Sequence, residues 1–131
     1  MDRIVVFLNG ERGASVVHQI VQSGHEILML VAPTSKQHDD QILEVSAACG
    51  ITINWVDEIN SSSFFEQLES LSPKLFIIAG YTSIFSKALV DLPDHGTINL
   101  HGGKLPNYRG GSPLNWQIIN GEREGGITLH Y

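Results

Sequence analysis

The chain has 131 residues, 42% of them hydrophobic, and a formal net charge of −6 from 8 basic and 14 acidic side chains. That length fits one domain with a proper core, and without any Lys/Arg run broad electrostatic adhesion to nucleic acid or an anionic membrane is not expected. The single cysteine, Cys49, excludes an intramolecular disulfide and fits a reducing cytosol, and no segment resembles a signal peptide or reaches the roughly 18 apolar residues of a membrane span.

In chain order, Ile4–Leu8, I-V-V-F-L, is a continuous β-branched and aromatic run that implies a strand covered on both faces. The glycine turn Asn9-Gly10-Glu11-Arg12-Gly13 follows, then a helix over Ala14–Gln22 with Val17, Ile20 and Val21 at helical spacing and Gly24 as its stop. Such a unit presents backbone N–H groups and a helix N-terminus to an anion, so Asn9, Gly10 and Arg12 are candidate phosphate contacts; the alternative is a plain tight βα connection. The turn carries neither G-x-G-x-x-G nor a P-loop Lys-Ser/Thr, which leaves dinucleotide and ATP binding unsupported.

His25–Val31 is the second buried strand, broken by Ala32-Pro33-Thr34, and His38–Ala48 reads as a helix with Ile42, Val45 and Ala48 on one side and Gly50 beyond its end. Ile51–Val56 alternates as a short strand. Asn60-Ser61-Ser62 starts a helix whose buried stripe is Phe64, Phe65, Leu68 and Leu71, and Ser72-Pro73 ends it. His18, His25 and His38 have no partner at metal-ligand spacing, so they are expected at the surface or at caps, and no metal is expected. Cys49 is expected to be a small buried hydrophobe.

Leu75–Ala79, L-F-I-I-A, is the most apolar strand and the natural centre of a sheet. Gly80-Tyr81-Thr82-Ser83 leaves its end, followed by a short helix over Ile84–Val90 that Leu92-Pro93 closes. If Thr97–His101 is a strand, alternation puts Thr97, Asn99 and His101 on one face and Ile98 and Leu100 on the other. An amide N–H can stabilise the oxyanion formed when a nucleophile attacks a carbonyl, and an imidazole can supply a proton, so Asn99 and His101 suit acyl-type transfer to an amine. A structural histidine beside a strand-end asparagine is the alternative. Gly102 and Gly103 permit positive φ or close ligand approach, and Pro106 ends the strand.

Beyond it, Leu105-Pro106 is a candidate cis bond, and Arg109 either binds a substrate anion or pins the loop. Ser112 caps a helix starting at Pro113 over L-N-W-Q-I-I-N, stopped by Asn120-Gly121, with Trp116 and Ile119 in the core. Gly126–Tyr131, G-I-T-L-H-Y, alternates as a final strand. Helices and strands thus alternate from end to end, which argues an α/β domain with a mainly parallel sheet and right-handed crossovers.

The run I-N-L-H-G-G-K-L-P-N-Y-R-G-G-S-P-L-N-W-Q-I-I-N-G-E, Ile98–Glu122, resembles the signature of the folate-dependent formyltransferases: a strand with N-x-H, a loop ending in L-P, then Y-R-G and W-x-x-x-x-G-E. The likeness extends more weakly over the whole chain. It implies a Rossmann-like open, twisted sheet with helices on both faces, and 10-formyltetrahydrofolate as formyl donor. Asn99 and His101 match the family's catalytic pair, and Tyr81, Thr82, Ser83, Ile84 and Phe85 fall in the slot that holds the pterin, largely through backbone groups. On the substrate side the expected residues are Asn9, Gly10 and Arg12 at the first turn, with His101, Gly102, Gly103, Lys104, Tyr108 and Arg109 on and after the N-x-H strand.

The stretch from His101 to Asn120 looks closest to the branch that acts on nucleotide-linked amino sugars; methionyl-tRNA and glycinamide ribonucleotide are the alternative acceptors. The family completes its site with an aspartate after the strand matching Gly126–Tyr131, a position this sequence does not reach. The resemblance therefore implies a single N-terminal catalytic domain over residues 1–131, incomplete at its C-terminus and cytoplasmic, with a homodimer compatible in a full-length protein. A non-catalytic folate- or nucleotide-binding fragment is the reading from another class.

Overall fold

The computed structural model describes residues 3–81, 83–102, 114–119 and 128–130, and for residues 11, 12, 101, 102, 114–119 and 128–130 it gives the backbone. Within them the chain forms β1 (Arg3–Leu8), α1 (Glu11–Gln22), β2 (Glu26–Ala32), α2 (Asp40–Cys49), β3 (Ile53–Trp55), α3 (Ser62–Ser70), β4 (Leu75–Ala79), α4 (Lys87–Asp91), β5 (Thr97–Gly102), β6 (Leu114–Ile119) and β7 (Thr128–His130). A single sheet takes them in the order β3-β2-β1-β4-β5-β6-β7. The strands from β3 to β5 run parallel, and β6 and β7 extend the sheet antiparallel. From β1 the chain winds outward to β3 and then returns to the far side of β1 through β4 and β5, the doubly wound arrangement of an open α/β sheet.

The unbroken apolar run in β1 is explained by what lies on its two faces. Ile4, Val6 and Leu8 pack with Val16, Val17 and Ile20 of α1 and with Ile42 and Val45 of α2. Val5 and Phe7 pack on the other face with Phe64 and Leu68 of α3, Leu89 of α4, and Phe76 and Ile78 of β4. Each such large side chain taken fully out of water contributes roughly 1.5–3 kcal/mol, so a strand in this position has no place for a polar residue.

The helix ends follow local chemistry. Asp39 accepts hydrogen bonds from the N–H groups of Gln41 and Ile42 at 3.0 and 3.1 Å, and Gly50 ends α2 in the left-handed conformation with φ 68°. The Ser61 hydroxyl caps α3 by accepting from Phe64 N–H at 3.3 Å. Among the described residues no helix is long and apolar enough to cross a membrane.

Several boundaries and one element differ from the sequence expectations. α1 begins at Glu11, inside the expected glycine turn, because Gly10 alone makes the turn (φ 99°, ψ −159°) and its carbonyl already accepts from Ala14 N–H at 3.2 Å. Ala48 is exposed, since the apolar stripe of α2 is narrow and only Ile42 and Val45 are buried. Phe65 and Leu71 are half-buried at the rim of their cluster, and Cys49 likewise packs half-buried against the opposite one. α4 begins at Lys87, where the Ser86 hydroxyl accepts from Leu89 N–H at 3.2 Å; Ile84 is left outside the helix and 85% exposed.

The largest departure is β6. The segment expected to be a helix after Pro113 pairs antiparallel with β5, from Gly102 opposite Leu114 to Thr97 opposite Ile119. Its sequence Leu-Asn-Trp-Gln-Ile-Ile alternates apolar and polar over most of its length, so it satisfies strand periodicity as well as helical periodicity. The unpaired edge of β5 then decides, because a parallel strand left open on one side presents a row of unmade backbone hydrogen bonds.

Candidate active site

In a doubly wound sheet, ligands gather outside the carboxyl ends of the strands where the winding reverses, here between β1 and β4. Register places the expected residues around that point. Phe7, Ile78 and Asn99 form one row across β1, β4 and β5, and Leu8, Ala79 and Leu100 form the next. One step further along come Asn9, Gly80 and His101. Asn9 N–H donates to the Ala79 carbonyl at 3.3 Å, which clips the start of the β1–α1 turn onto the end of β4. Gly80 turns away at φ 83°, a conformation that its missing Cβ permits.

On β5, Thr97 is fully buried and its hydroxyl donates to the Val90 carbonyl at 2.8 Å, tying the strand to α4. Asn99, two residues on, shares the sheet face of Phe76 and Ile78 and is half-buried near the strand end. His101 takes the position two residues past Asn99, with its backbone paired opposite Asn115. The expected N-x-H spacing on a single extended segment is therefore present, at the carboxyl edge and next to the switch point.

The segment after β4 runs over that same face. Tyr81 is buried, its ring edge-on to Phe7 at 5.9 Å and to Phe85 at 6.0 Å, and Phe85 stands 4.9 Å from Phe7. The Tyr81 hydroxyl donates to the Val56 carbonyl at 2.6 Å. Burial, and secondarily the Asp57 carboxylate, push the Tyr81 phenol up to about 12. Asp57 itself is held below the usual carboxylate range by the Thr34 hydroxyl and backbone N–H, which donate to it at 2.6 and 3.0 Å. Tyr81 is thus a core aromatic with its hydroxyl spent, whereas Ser83 and Ile84 are exposed.

Of the remaining expected residues, Asn9 and Gly10 form the β1–α1 turn, Arg12 lies in the first turn of α1, and Gly102 is the last residue of β5. Thr82, Gly103, Lys104, Leu105-Pro106, Tyr108 and Arg109 lie outside the described residues. One residue was not foreseen as part of the site. Asn60 reaches across from the β3–α3 connection, its side-chain amide donating to the Ile84 carbonyl and accepting from Ser86 N–H, both at 2.8 Å. These partners are 24 and 26 residues away in sequence, so no local pattern announces the contact. Among the described residues no three His, Cys, Asp or Glu side chains cluster as a metal site.

Comparison with known proteins agrees with this architecture. The chain is 31% identical over 132 residues to the methionyl-tRNA formyltransferase of Thermodesulfovibrio yellowstonii, an alignment covering 95% of this chain and 43% of that protein. It is 33% identical over 134 residues to the methionyl-tRNA formyltransferase of Pelobacter propionicus, covering 96% and 42%. It therefore spans less than half the length of these curated relatives. Among solved structures, glycinamide ribonucleotide transformylase 1 from Symbiobacterium toebii superposes with a TM-score of 0.70 at 16% identity, over 100% of this chain and 72% of that one. The formyltetrahydrofolate deformylase of Burkholderia mallei gives 0.66 at 12% identity, over 99% and 54%. At such identities these two structures speak for the fold. Matched to the formyl transferase family model from residue 2 to residue 131, the chain belongs to the formyl transferase family.

Proposed function

We propose that the protein carrying these residues transfers a formyl group from 10-formyltetrahydrofolate to a primary amine. The observation that carries the reading is the N-x-H pair on β5, beside the switch point of a family-typical sheet. The amine nitrogen attacks the formyl carbon, forming a new C–N bond and sending the carbonyl electron pair onto oxygen. Asn99 donates its amide N–H to that oxyanion, a contribution of a few kcal/mol to lowering the barrier. As the bond from the formyl carbon to folate N10 breaks, His101 delivers a proton to N10 and recovers one from the attacking ammonium, so the products are the formamide and tetrahydrofolate.

Tyr81, Thr82, Ser83, Ile84 and Phe85 form the donor slot in this reading. The acceptor side consists of Asn9, Gly10 and Arg12 at the β1–α1 turn, with Gly102, Gly103, Lys104, Tyr108 and Arg109 after the catalytic strand. The scheme uses no metal. The His101–Asn120 motif supports a nucleotide-linked amino sugar as acceptor, and the acidic balance of the chain weighs against a tRNA. A second acceptor, methionyl-tRNA, is favoured by the curated relatives at 31 to 33% identity.

The test incubates the gene product containing this segment with 10-formyltetrahydrofolate and, separately, methionyl-tRNA, glycinamide ribonucleotide, nucleotide-linked amino sugars and water alone, following tetrahydrofolate release. Acceptor-dependent release, with Asn99→Ala lowering kcat by about 10²–10³ at little change in KM, supports the reading. Release in water alone, or undiminished kcat in Asn99→Ala, overturns it.

A further inference from the structure

We propose that Asn60 is a positioning residue for the formyl donor: its side-chain amide presets the shape of the segment from Ile84 to Ser86 that borders the folate slot. The proposal rests on the reading that the Tyr81–Phe85 stretch receives the folate. The segment comes off β4 beside the catalytic strand, yet residues 83–86 belong to no helix or strand, so side-chain bonds must define their path.

Asn60 supplies two of those bonds at once. An asparagine amide carries a donor and an acceptor in one plane, like a peptide unit. Here Nδ2 donates to the Ile84 carbonyl and Oδ1 accepts from Ser86 N–H, each at 2.8 Å. The two partners are two residues apart, the spacing with which one strand residue pairs with its neighbour across a ladder. Asn60 thus acts as a one-residue strand against the loop.

Both sides of this bracket are themselves anchored. Ser61, next to Asn60, donates its backbone N–H to the Glu58 carbonyl at 3.1 Å and caps α3. Ser86 caps α4 with its hydroxyl while its N–H is held by Asn60. A third bond, from the Tyr81 hydroxyl to the Val56 carbonyl, ties the start of the segment to the same β3–α3 connection, and Phe85 is seated on Phe7. The segment is therefore held at Tyr81, at Phe85 and through Asn60, while the side chain of Ile84 stands 85% exposed between those holds. Order established before binding lowers the entropy cost of seating a planar ligand against backbone groups.

The experiment uses the gene product carrying these residues and measures binding of a stable 10-formyl folate analogue by calorimetry, beside steady-state kinetics with the donor varied. Asn60→Ala should weaken analogue binding about tenfold and raise donor KM similarly, with kcat within about twofold, tenfold being equivalent to ~1.4 kcal/mol. Asn60→Asp keeps the shape but turns an oxygen toward the Ile84 carbonyl; it should bind as poorly as Asn60→Ala at neutral pH and recover as its carboxyl protonates and regains a donor. A wild-type protein that binds no analogue defeats the donor-slot reading itself. A wild-type protein that binds, with Asn60→Ala binding equally well, or with kcat and KM both degraded and no recovery of Asn60→Asp on acidification, overturns the role of Asn60 and leaves the donor slot standing.

Discussion

Gly13 gives the sharpest test of how α1 sits on β1. A glycine-to-alanine change within a helix ordinarily stabilises, by up to about 1 kcal/mol. Here a Cβ on residue 13 would collide with Cβ of Leu8 and lie 3.2 Å from its Cα. Neither atom can move by a rotamer change, and Leu8 is fully buried on a central strand, so the first turn of α1 must lift off the sheet. Overpacking costs typically 1–3 kcal/mol, and a clash with two atoms that cannot swing aside belongs in the upper part of that range, about 2–3 kcal/mol, which less a gain of about 1 leaves Gly13→Ala less stable by about 1–2 kcal/mol. At roughly 2 cal/mol/K of unfolding entropy per residue, that lowers Tm by about 4–7 °C in a chain of this size. Urea denaturation followed by circular dichroism measures it, with Gly24→Ala as a control where φ is 86° and nothing lies within 4 Å. The control loses only the strain of its backbone conformation, about 1 kcal/mol. A Gly13→Ala protein with unchanged or higher stability would refute the close helix–strand contact.

Thr97→Val keeps the volume of a fully buried side chain but leaves the Val90 carbonyl without its donor; a loss of about 1–3 kcal/mol in urea denaturation is expected, with Thr97→Ser retaining most of the stability. Phe7→Ala removes a ring contacting Phe64, Phe76, Tyr81 and Phe85 and should cost about 3–5 kcal/mol, read as a large fall in Tm. Tyr81 is raised from 10.0 to about 12, so the folded state holds its proton more tightly than the unfolded state. That contribution to stability is fully present below pH 10 and is lost as pH rises through about 12. Phenolate absorbance should show a tyrosine ionising near 12 that is missing from Tyr81→Phe, and that variant should flatten the alkaline decline in stability.

Where burial on both faces dictates composition, the fold was legible from the sequence. The strand Leu75–Ala79 has the bounds its apolar run suggests, and Ile4–Leu8 lies within β1. Ser61, Asp39 and Gly50 carry cap chemistry that needs no tertiary information to work. The segment 114–119 shows the opposite case. Ser112-Pro113 is a sound helix start and Leu-Asn-Trp-Gln-Ile-Ile is a sound strand, and the choice turns on whether a neighbouring edge is open, a fact carried by β5 and not by the segment itself. The placing of Asn99 and His101 two positions apart on one strand was legible, because strand alternation relates such residues without tertiary information. Tyr81 was ambiguous between core and ligand contact, since only the distant Val56 and Phe7 settle where its hydroxyl and ring go. Asn60 carried no signal at all, because its partners are remote in sequence and an Asn-Ser-Ser start to a helix already accounts for it.

The ends of the strands form a step at the carboxyl edge of the sheet, beside Asn99 and His101. Pairing between β4 and β5 stops at Ala79 opposite Leu100, yet β5 continues to Gly102 with β6 alone as its partner. At roughly 3.3 Å per residue, two residues of β5 stand about 7 Å beyond the end of β4. Asn99 lies below that step, between Ile78 and Gln117, so its backbone is fixed from both sides and its amide has a defined origin. His101 lies above it, paired on one side only, because Gly80 has carried the chain away from the sheet at φ 83°. The step therefore separates a group suited to holding a fixed dipole from a group suited to exchanging a proton, on adjacent positions of one alternation. Extending β4 by one residue, as a β-branched side chain at position 80 would encourage, halves the step and brings the backbone of β4 alongside His101, the position that the proposed transfer needs open on that side.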